Sequence, residues 1–465
     1  FDGFYFIQVD GSFIAPGTAQ QSILFTVADT LGFSDTLEMR GAWHGLRFFG
    51  DHPEAVSSFS WCVFEYTKAL DLDSLSNYGG AVHGSGKRSA TFTHCTFRKN
   101  TAWHRGGAVA LRNGADFVFD NCIFSGNTTY NPDAGYGGAL YAEYADPVIR
   151  NCTFSYNQAV WTGGGACFYY SNPWIHNNIF TGNFGYIGGG MAFYHCRPVR
   201  TICNNLVYAN TGLYFGGGIS CNNASDPVLV NNTIVQNQAT YGGGFYCNDS
   251  AAPAVYNSLI YNNISFSGLG PVYIWDVHSH PNFHYCNIQG GKEAFAGSGG
   301  GVGYWGVYEN NYDEVPVFDP GSTYPFYPYD GSLIDRGTPV TDTAGLKLPS
   351  TDLSGGPRVY GPLLDVGAYE WWNVGLVDNK ISIPELSVMC NPGNSKVRFS
   401  AVLPESGSYR FQILDMAGKK VFSTVLNQDR GPWFLEWHTE HLPSGSYVAL
   451  LKGNVQTATV LFRKI

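Results

Sequence analysis

The sequence predicts an all-β chain, a parallel β-helix followed by a small β-sandwich. Three observations lead there. A block that begins with asparagine returns at a nearly constant interval. Charge is sparse where glycine and aromatic residues are abundant. Residues 386–465 abandon the repeat for plain apolar–polar alternation.

Composition sets the bounds. The chain has 465 residues, 58 of them glycine, with 16% aromatic and only 13% charged residues. Low charge with many aromatics argues against disorder. Few Lys and Glu among many Gly, Asn, Tyr and Phe favour strand over helix. The length suits two or three domains or a repeat array. The net charge is −10 and the 26 basic residues form no Lys/Arg-rich run, so no nucleic-acid partner is expected. No apolar run approaches the ~18 residues of a membrane-spanning helix. The opening "FDGFYFIQVDGSFIAPGT" reads as strand and turn rather than as a signal peptide, as in a mature or trimmed chain.

The repeat is clearest in "NCTFSYNQAVWTGGGACFYY" (151–170). Asn121, Asn151, Asn177, Asn204, Asn231 and Asn257 each begin a unit, and His94 holds the place one unit earlier; the spacings are 27, 30, 26, 27, 27 and 26 residues. Three positions on lies Phe97, Phe124, Phe154, Phe180, Val207, Ile234 or Ile260. Three further on comes a second asparagine: Asn100, Asn127, Asn157, Asn183, Asn210, Asn237 or Asn263. Glycine runs follow, ending at Gly107, Gly138, Gly165, Gly190, Gly218 and Gly244, and a proline turn closes the unit at Pro147, Pro173, Pro198, Pro227 or Pro253. A helical repeat tolerates neither triple glycine nor proline within the unit. Leucine-rich repeats need a leucine pattern that is absent, and propeller blades need about 40 residues or more. What remains is a solenoid whose units are coils of about three short strands. Stacked coils lie ~4.8 Å apart, so equivalent residues form ladders: Phe/Ile/Val inside, asparagine at turns, glycine at tight or close-packed bends.

The 11 cysteines show no CxxC spacing. Cys95, Cys122 and Cys152 share one register, Cys221 and Cys247 another. An inward ladder of this kind reads as packed thiols, while the spacing of stacked coils also lies within disulfide reach.

The paired signals "FRKN", "FSGN", "FSYN", "FTGN" and "GGAV", "GGAL", "GGGA", "GGGM" resemble the FxxN and GGA[ILV] repeats of chlamydial polymorphic outer-membrane proteins and of secreted bacterial β-helix proteins, over residues 79–265. Residues 1–78 read as the first coils with an atypical cap, and "WCVFEYT" (61–67) mimics a later unit start. Residues 266–370 become irregular and end in "DVGAYE" (365–370), similar to the closing segment of Bacteroidetes-type secreted β-helix proteins. A linker follows at 371–385. The run "NPGNSKVRFSAVLPESGSYRFQILDMAGKKV…LPSGSYVALL…LFRKI" resembles the C-terminal sorting domain of the type IX secretion system, with Asn391, Pro392, Asp415, Gly418, Leu442, Pro443, Gly445, Arg463 and Lys464 in that family's places. The resemblance implies export by that machinery through residues 386–465, and display on or release from the cell surface. It also turns attention to five Asp-Ser/Thr-apolar triplets, which resemble O-glycan acceptor sites of such bacteria: Thr30, Thr36, Ser74, Ser250 and Thr343.

Two groups of residues invite a functional reading. Trp103, Tyr136, Trp161, Tyr186, Tyr214 and Tyr241 all fall between the second asparagine and the glycines. In one register they would form a stripe, either a platform for sugar rings or a self-stacked shield for the coil edge. "WDVHSHPNFHYC" (275–286) clusters Asp276, His278, His280 and His284, ligand types for a metal in what otherwise reads as a loop. Catalysis on a β-helix would need paired carboxylates, or acids with a basic partner in the next coil, and the sequence discloses no such pair. The expectation is a right-handed parallel β-helix of about 27 residues per coil with a C-terminal Ig-like β-sandwich. It would be secreted, surface-displayed and without cofactor, adhesive or structural, acting through glycan binding or self-association. The alternative is a polysaccharide lyase or glycoside hydrolase.

Overall fold

The computed structural model describes residues 5–35, 38–70, 77–197, 200–329, 331–340, 345–371, 387–390, 396–403, 407–415, 419–428, 431–440, 442–443, 445–452 and 457–464. The chain forms two compact units, residues 1–317 with 328–372 and residues 318–327 with 373–465.

The first unit is a parallel β-solenoid. Each regular coil gives one strand to each of four parallel sheets. In the coil that opens at Asn151, sheet 1 takes Thr153–Ser155, sheet 2 Gln158–Ala159, sheet 3 Ala166–Tyr169 and sheet 4 Trp174–His176. The expected three strands per coil are therefore four. Sheet 2 is the one missed, because its strands are often two residues long and too short to show alternation.

Sequence equivalence becomes vertical stacking. Phe97, Phe124, Phe154 and Phe180 are register partners in successive coils. From Phe25 through Phe64 to Phe180 the rings stack face to face, with centroids 4.5–5.0 Å apart and planes within 12°. Val207, Ile234, Ile260 and Ile288 continue the row. A second stack, Phe59, Phe92 and Phe119, rises from sheet 4 and meets the first edge-on. Every ring in the two stacks is buried, and each such burial contributes roughly 2–3 kcal/mol.

The two asparagines of the repeat do different work. The first takes the left-handed backbone that turns the chain from sheet 4 to sheet 1: Asn121, Asn151, Asn177, Asn204, Asn231 and Asn257 have φ between 47° and 57°. Asparagine tolerates this region, but Trp61, His94 and Tyr285 also occupy it at the equivalent turns. The second asparagine is the ladder. Its own backbone is ordinary, and the residue before it (Lys99, Gly126, Tyr156, Gly182, Ala209 or Gln236) carries the positive φ. Each buried Nδ2 donates to the Oδ1 of its copy in the next coil, at 2.9–3.0 Å from Asn100 to Asn263. Nδ2 also donates to a main-chain carbonyl, as Asn183 does to Phe154, and Oδ1 also accepts a main-chain N–H, as Asn183 does from Asn157.

Another interior row changes chemistry without changing its bonding. Cys62, Cys95, Cys122 and Cys152 follow the left-handed residue, then Asn178, Asn205, Asn232, Ser258 and Cys286 take the same place. Cys122 Sγ donates to the Phe92 carbonyl and Cys152 Sγ accepts the Cys122 amide; Asn178 donates to Ile149 and accepts the Cys152 amide in the same way. The ten cysteines from Cys62 to Cys286 are all buried free thiols, so no disulfide joins the coils among them.

The glycine run answers to two constraints. Gly163 has φ 68°, and a Cβ on Gly164 would lie 2.3 Å from the Phe184 carbonyl oxygen. One position needs the conformation and the next needs the space.

At the N-terminal end Trp61 stacks on His94, and Cys62 and Phe64 join the thiol and phenylalanine rows. The buried Lys68 gathers the loop below it, its ammonium donating to the carbonyls of Gly32, Asp35, Glu38 and Arg40.

The second unit contains two antiparallel sheets. One orders Ser387–Cys390, Lys396–Leu403 and Gly431–His438; the other orders Lys420–Gln428, Gly407–Asp415, Gly445–Lys452 and Thr457–Lys464. Phe399, Phe411, Ile413, Trp433, Trp437, Ala449 and Leu451 make their shared core. Asp415 Oδ1 accepts the Lys419 amide, and Leu442 is buried, while Asn391, Pro392 and Gly418 lie outside the described residues.

Asn183→Ala should lower unfolding free energy by about 2–3 kcal/mol, since it strands buried donors and acceptors in both neighbouring coils. The same test on Asn151→Gly should stay within about 0.5 kcal/mol, because only a left-handed turn is needed there. Urea midpoints at unchanged m-value measure both.

Candidate functional site

The outer face of sheet 3 carries the densest chemistry on the solenoid. The residue just before each glycine run forms one continuous row: Tyr78, Arg105, Tyr136, Thr162, Ile187, Phe215, Tyr241. This row leans over the outward second position of sheet 3. Arg105 Nη1 donates to the Tyr141 hydroxyl at 2.8 Å, Thr162 Oγ1 and the Tyr194 hydroxyl are 3.0 Å apart, and Phe215 stacks on Tyr246 at 4.6 Å. Tyr141, Cys167, Ala192, Ser220 and Tyr246 are consequently buried although they lie outside the barrel.

The six aromatics expected in one stripe divide between rows. Trp161, Tyr186 and Tyr214 stack in line at 5.0 and 5.3 Å with planes within 11°. Tyr136 and Tyr241 belong to the adjacent row, directly before the glycines. Trp103 lies two residues before Arg105, the member of that row in its own coil. Counting from the asparagine merges the rows; counting back from the first positive-φ glycine separates them. Within the stack the rings spend their faces on one another and show solvent their edges. Beyond Tyr214 the stacking breaks: Tyr214–Tyr241, Tyr241–Tyr273 and Tyr273–Trp275 are tilted by 57°, 50° and 44°. There Tyr214 is 42% and Trp275 45% exposed. Tyr273 and Trp275 were overlooked in the sequence because Trp275 opens the irregular histidine-rich run. The structure places it at the end of a sheet 3 row that passes through Arg112, Glu143, Tyr169, Tyr194, Asn222 and Asn248.

An acid and a basic partner do share a strand face. Arg112 and Glu143 are register partners in adjacent coils, in place of the expected absence of any such pair. Glu143 Oε2 accepts from Arg112 Nε at 2.8 Å and from Arg105 Nη1 at 3.0 Å. The Arg105 guanidinium lies 4.9–5.5 Å from the ring centroids of Tyr78, Tyr136 and Tyr141, and Arg112 lies 5.1 Å from Tyr78. Burial pushes the Tyr141 phenol well above its usual range, so it stays protonated and serves as a hydrogen-bonding group rather than a base. The signal was present in "GGAVALR" and "GGALYAE", where both residues fall five places after the second glycine.

The histidine-rich run does not converge. Asp276 Oδ1 accepts the His278 and Ser279 amides, and Oδ2 accepts the Asp249 amide and the Ser279 hydroxyl. Burial acts to raise its pKa, but these bonds outweigh it and hold the carboxyl below its usual range. His278 is exposed, His280 packs on Trp305 at 4.1 Å, and His284 stands on sheet 4 beside Glu309. Among the described residues no three His, Cys, Asp or Glu side chains gather as a metal site. Thr30 and Ser250 are exposed; Thr36, Ser74 and Thr343 lie outside the described residues.

Residues 50–201 match the family model of the right-handed β-helix region. The solenoid is a right-handed parallel β-helix. No curated protein matches the chain.

Residues 331–340 and 345–371 fold back along sheet 4 of the β-helix. Asn177 and Asn204 donate to the Thr351 carbonyl, Asn231 donates to the Asp365 carbonyl, and Asn257 accepts from Thr338. Leu346 and Leu364 cover Cys203 and Val230. These four asparagines are buried for that reason, whereas Asn121 and Asn151 of earlier coils are exposed. The segment closes on the fully buried Arg358, which pairs with Glu370 and donates to Asn204. Asp352 accepts the amides of Ser354, Gly356 and Glu370. Asp365 accepts the amides of Asp335 and Trp371. Burial, and then repulsion from Glu370, pushes Asp365 up to about 7.

A folded-state pKa raised to about 7 adds stability at low pH that is lost as pH rises from about 4 through 7. Asp365→Asn should therefore flatten the pH dependence of this segment. Amide exchange of residues 345–371 at pH 5 and pH 8 should diverge in the wild type and diverge less in the variant.

Proposed function

We propose that this β-helix is a secreted, surface-displayed binding scaffold, adhesive or structural rather than catalytic, which takes glycans on the outer face of sheet 3. The observation that carries the reading is the tilted aromatic group Tyr214, Tyr241, Tyr273 and Trp275 at the end of the ring ladder. Within that group Trp275 makes only edge-on and tilted ring contacts and is 45% exposed, which leaves a face for a sugar ring to pack against, whereas the Trp161–Tyr186–Tyr214 stack offers edges. The protonated Tyr141 and the twice-paired Glu143 favour recognition over acid–base chemistry at this face. Export through residues 386–465 by a type IX machinery follows from the sorting-domain resemblance, and their compact sandwich suits a separately recognised module.

The reading is tested by presenting neutral and acidic oligosaccharides to the full chain. Trp275→Ala should weaken binding at least tenfold, and Trp161→Ala should change it less than threefold. Steady release of reducing or unsaturated ends would overturn the non-catalytic reading in favour of a polysaccharide-degrading enzyme. In a bacterium that carries the type IX machinery, a chain ending at residue 371 should remain in the periplasm while the full chain reaches the surface.

A further inference from the structure

Two guanidinium groups and one carboxylate meet on the outer face of sheet 3, and the charges do not balance. Glu143 is the one carboxylate among the described residues that forms an ion pair with Arg105, which also lies close to Tyr141 and Tyr78. Arg112 meets the same carboxylate through Nε alone. Its Nη1 and Nη2 have no hydrogen-bond partner among the described residues, and its side chain is 20% exposed. Arg105 likewise spends only Nη1, on Glu143 and Tyr141, and its buried Nε has no partner. The cluster therefore holds one surplus positive charge on a chain whose net charge is −10.

The directions of these bonds matter. Glu143 approaches Arg112 from the Nε side, which leaves the end-on pair of Nη groups as an unused fork. That fork has the geometry of a bidentate carboxylate contact. Tyr78 lies under the guanidinium at 5.1 Å and the register partner of Glu143 in the next coil is Tyr169. A sugar ring placed there would meet an aromatic neighbour beside its charged group. Arg112 and Trp275 belong to one row six coils apart, about 29 Å along the axis.

We infer that Arg112, with Arg105 behind it, is an anion subsite for the carboxylate of an acidic sugar, six coils from Trp275 on the same face. The inference rests on the glycan-binding reading and adds charge selection to it. Glu143 holds the two guanidinium groups side by side in the free protein, and the incoming carboxylate supplies the missing counter-charge. No bond is made or broken.

Calorimetric titration of the full chain with oligogalacturonate and with a cello-oligosaccharide of equal length tests it. The acidic oligomer should bind at least tenfold tighter in low salt, and 0.5 M NaCl should remove most of that preference. Arg112→Gln should abolish the preference and leave neutral binding within twofold. Arg112→Lys, which keeps the charge but loses the fork, should retain only part of it. Melting temperatures matched to wild type establish that the variants fold. Equal binding of both oligomers by wild type, or an undiminished preference in Arg112→Gln, overturns the subsite while the glycan-binding reading stands. Binding of neither oligomer overturns both.

Discussion

The structure depends on one hydrogen bond made again and again. A buried asparagine amide donates to the carboxamide oxygen of its copy one coil further on, and the second hydrogen of that amide goes to a main-chain carbonyl. An interior amide left without partners costs on the order of 1–3 kcal/mol, so each coil fixes the register of the next. A coil with one residue too few at this turn would lose its place in the row and move every following side chain to another face. The phenylalanine stack adds burial energy but tolerates substitution, as its continuation by Val207, Ile234 and Ile260 demonstrates. The asparagine row admits no change from Asn100 to Asn263, and Thr67 takes the place in the coil before Asn100.

Perfect stacking constrains what the exterior can do. A side chain repeated in every coil meets its own copy ~4.8 Å above and below, so like rings stack and unlike charges pair. Chemistry that faces outward has to come from places where the repetition fails. The solenoid has two such places on sheet 3. One is the change from Arg112 to Glu143 to Tyr169 in three successive coils; the other is the tilt that begins after Tyr214.

The sequence disclosed the features that repeat and hid those that do not. Coil length, the inward phenylalanine and both asparagines could be read because each recurs at fixed spacing. That one asparagine turns the chain and the other bonds its copy could not, because the distinction lies in φ and in the bonds made. The aromatic rows were misassigned because the interval from the second asparagine to the first glycine of the run varies, from ten residues at Asn127–Gly137 to six at Asn157–Gly163 and five at Asn237–Gly242, so counts made from the asparagine drift. The Arg112–Glu143 pair needed the same correction before two residues 31 apart could be seen as neighbours. The closing segment was harder still, since it contacts the coils across sequence separations of 81 to 175 residues and repeats nothing.

That segment also alters how the solenoid comes apart. A stack of coils is close to a one-dimensional array in which each unit is coupled only to its neighbours and fraying runs inward from an end, one unit at a time. A strap bonded to Asn177, Asn204, Asn231 and Asn257 ties four consecutive units to a common element. None of the four can leave without disturbing contacts made by the others. The C-terminal half of the array thereby becomes a single cooperative block, and the coils before Asn177 keep the graded, zipper-like opening of an unstrapped repeat.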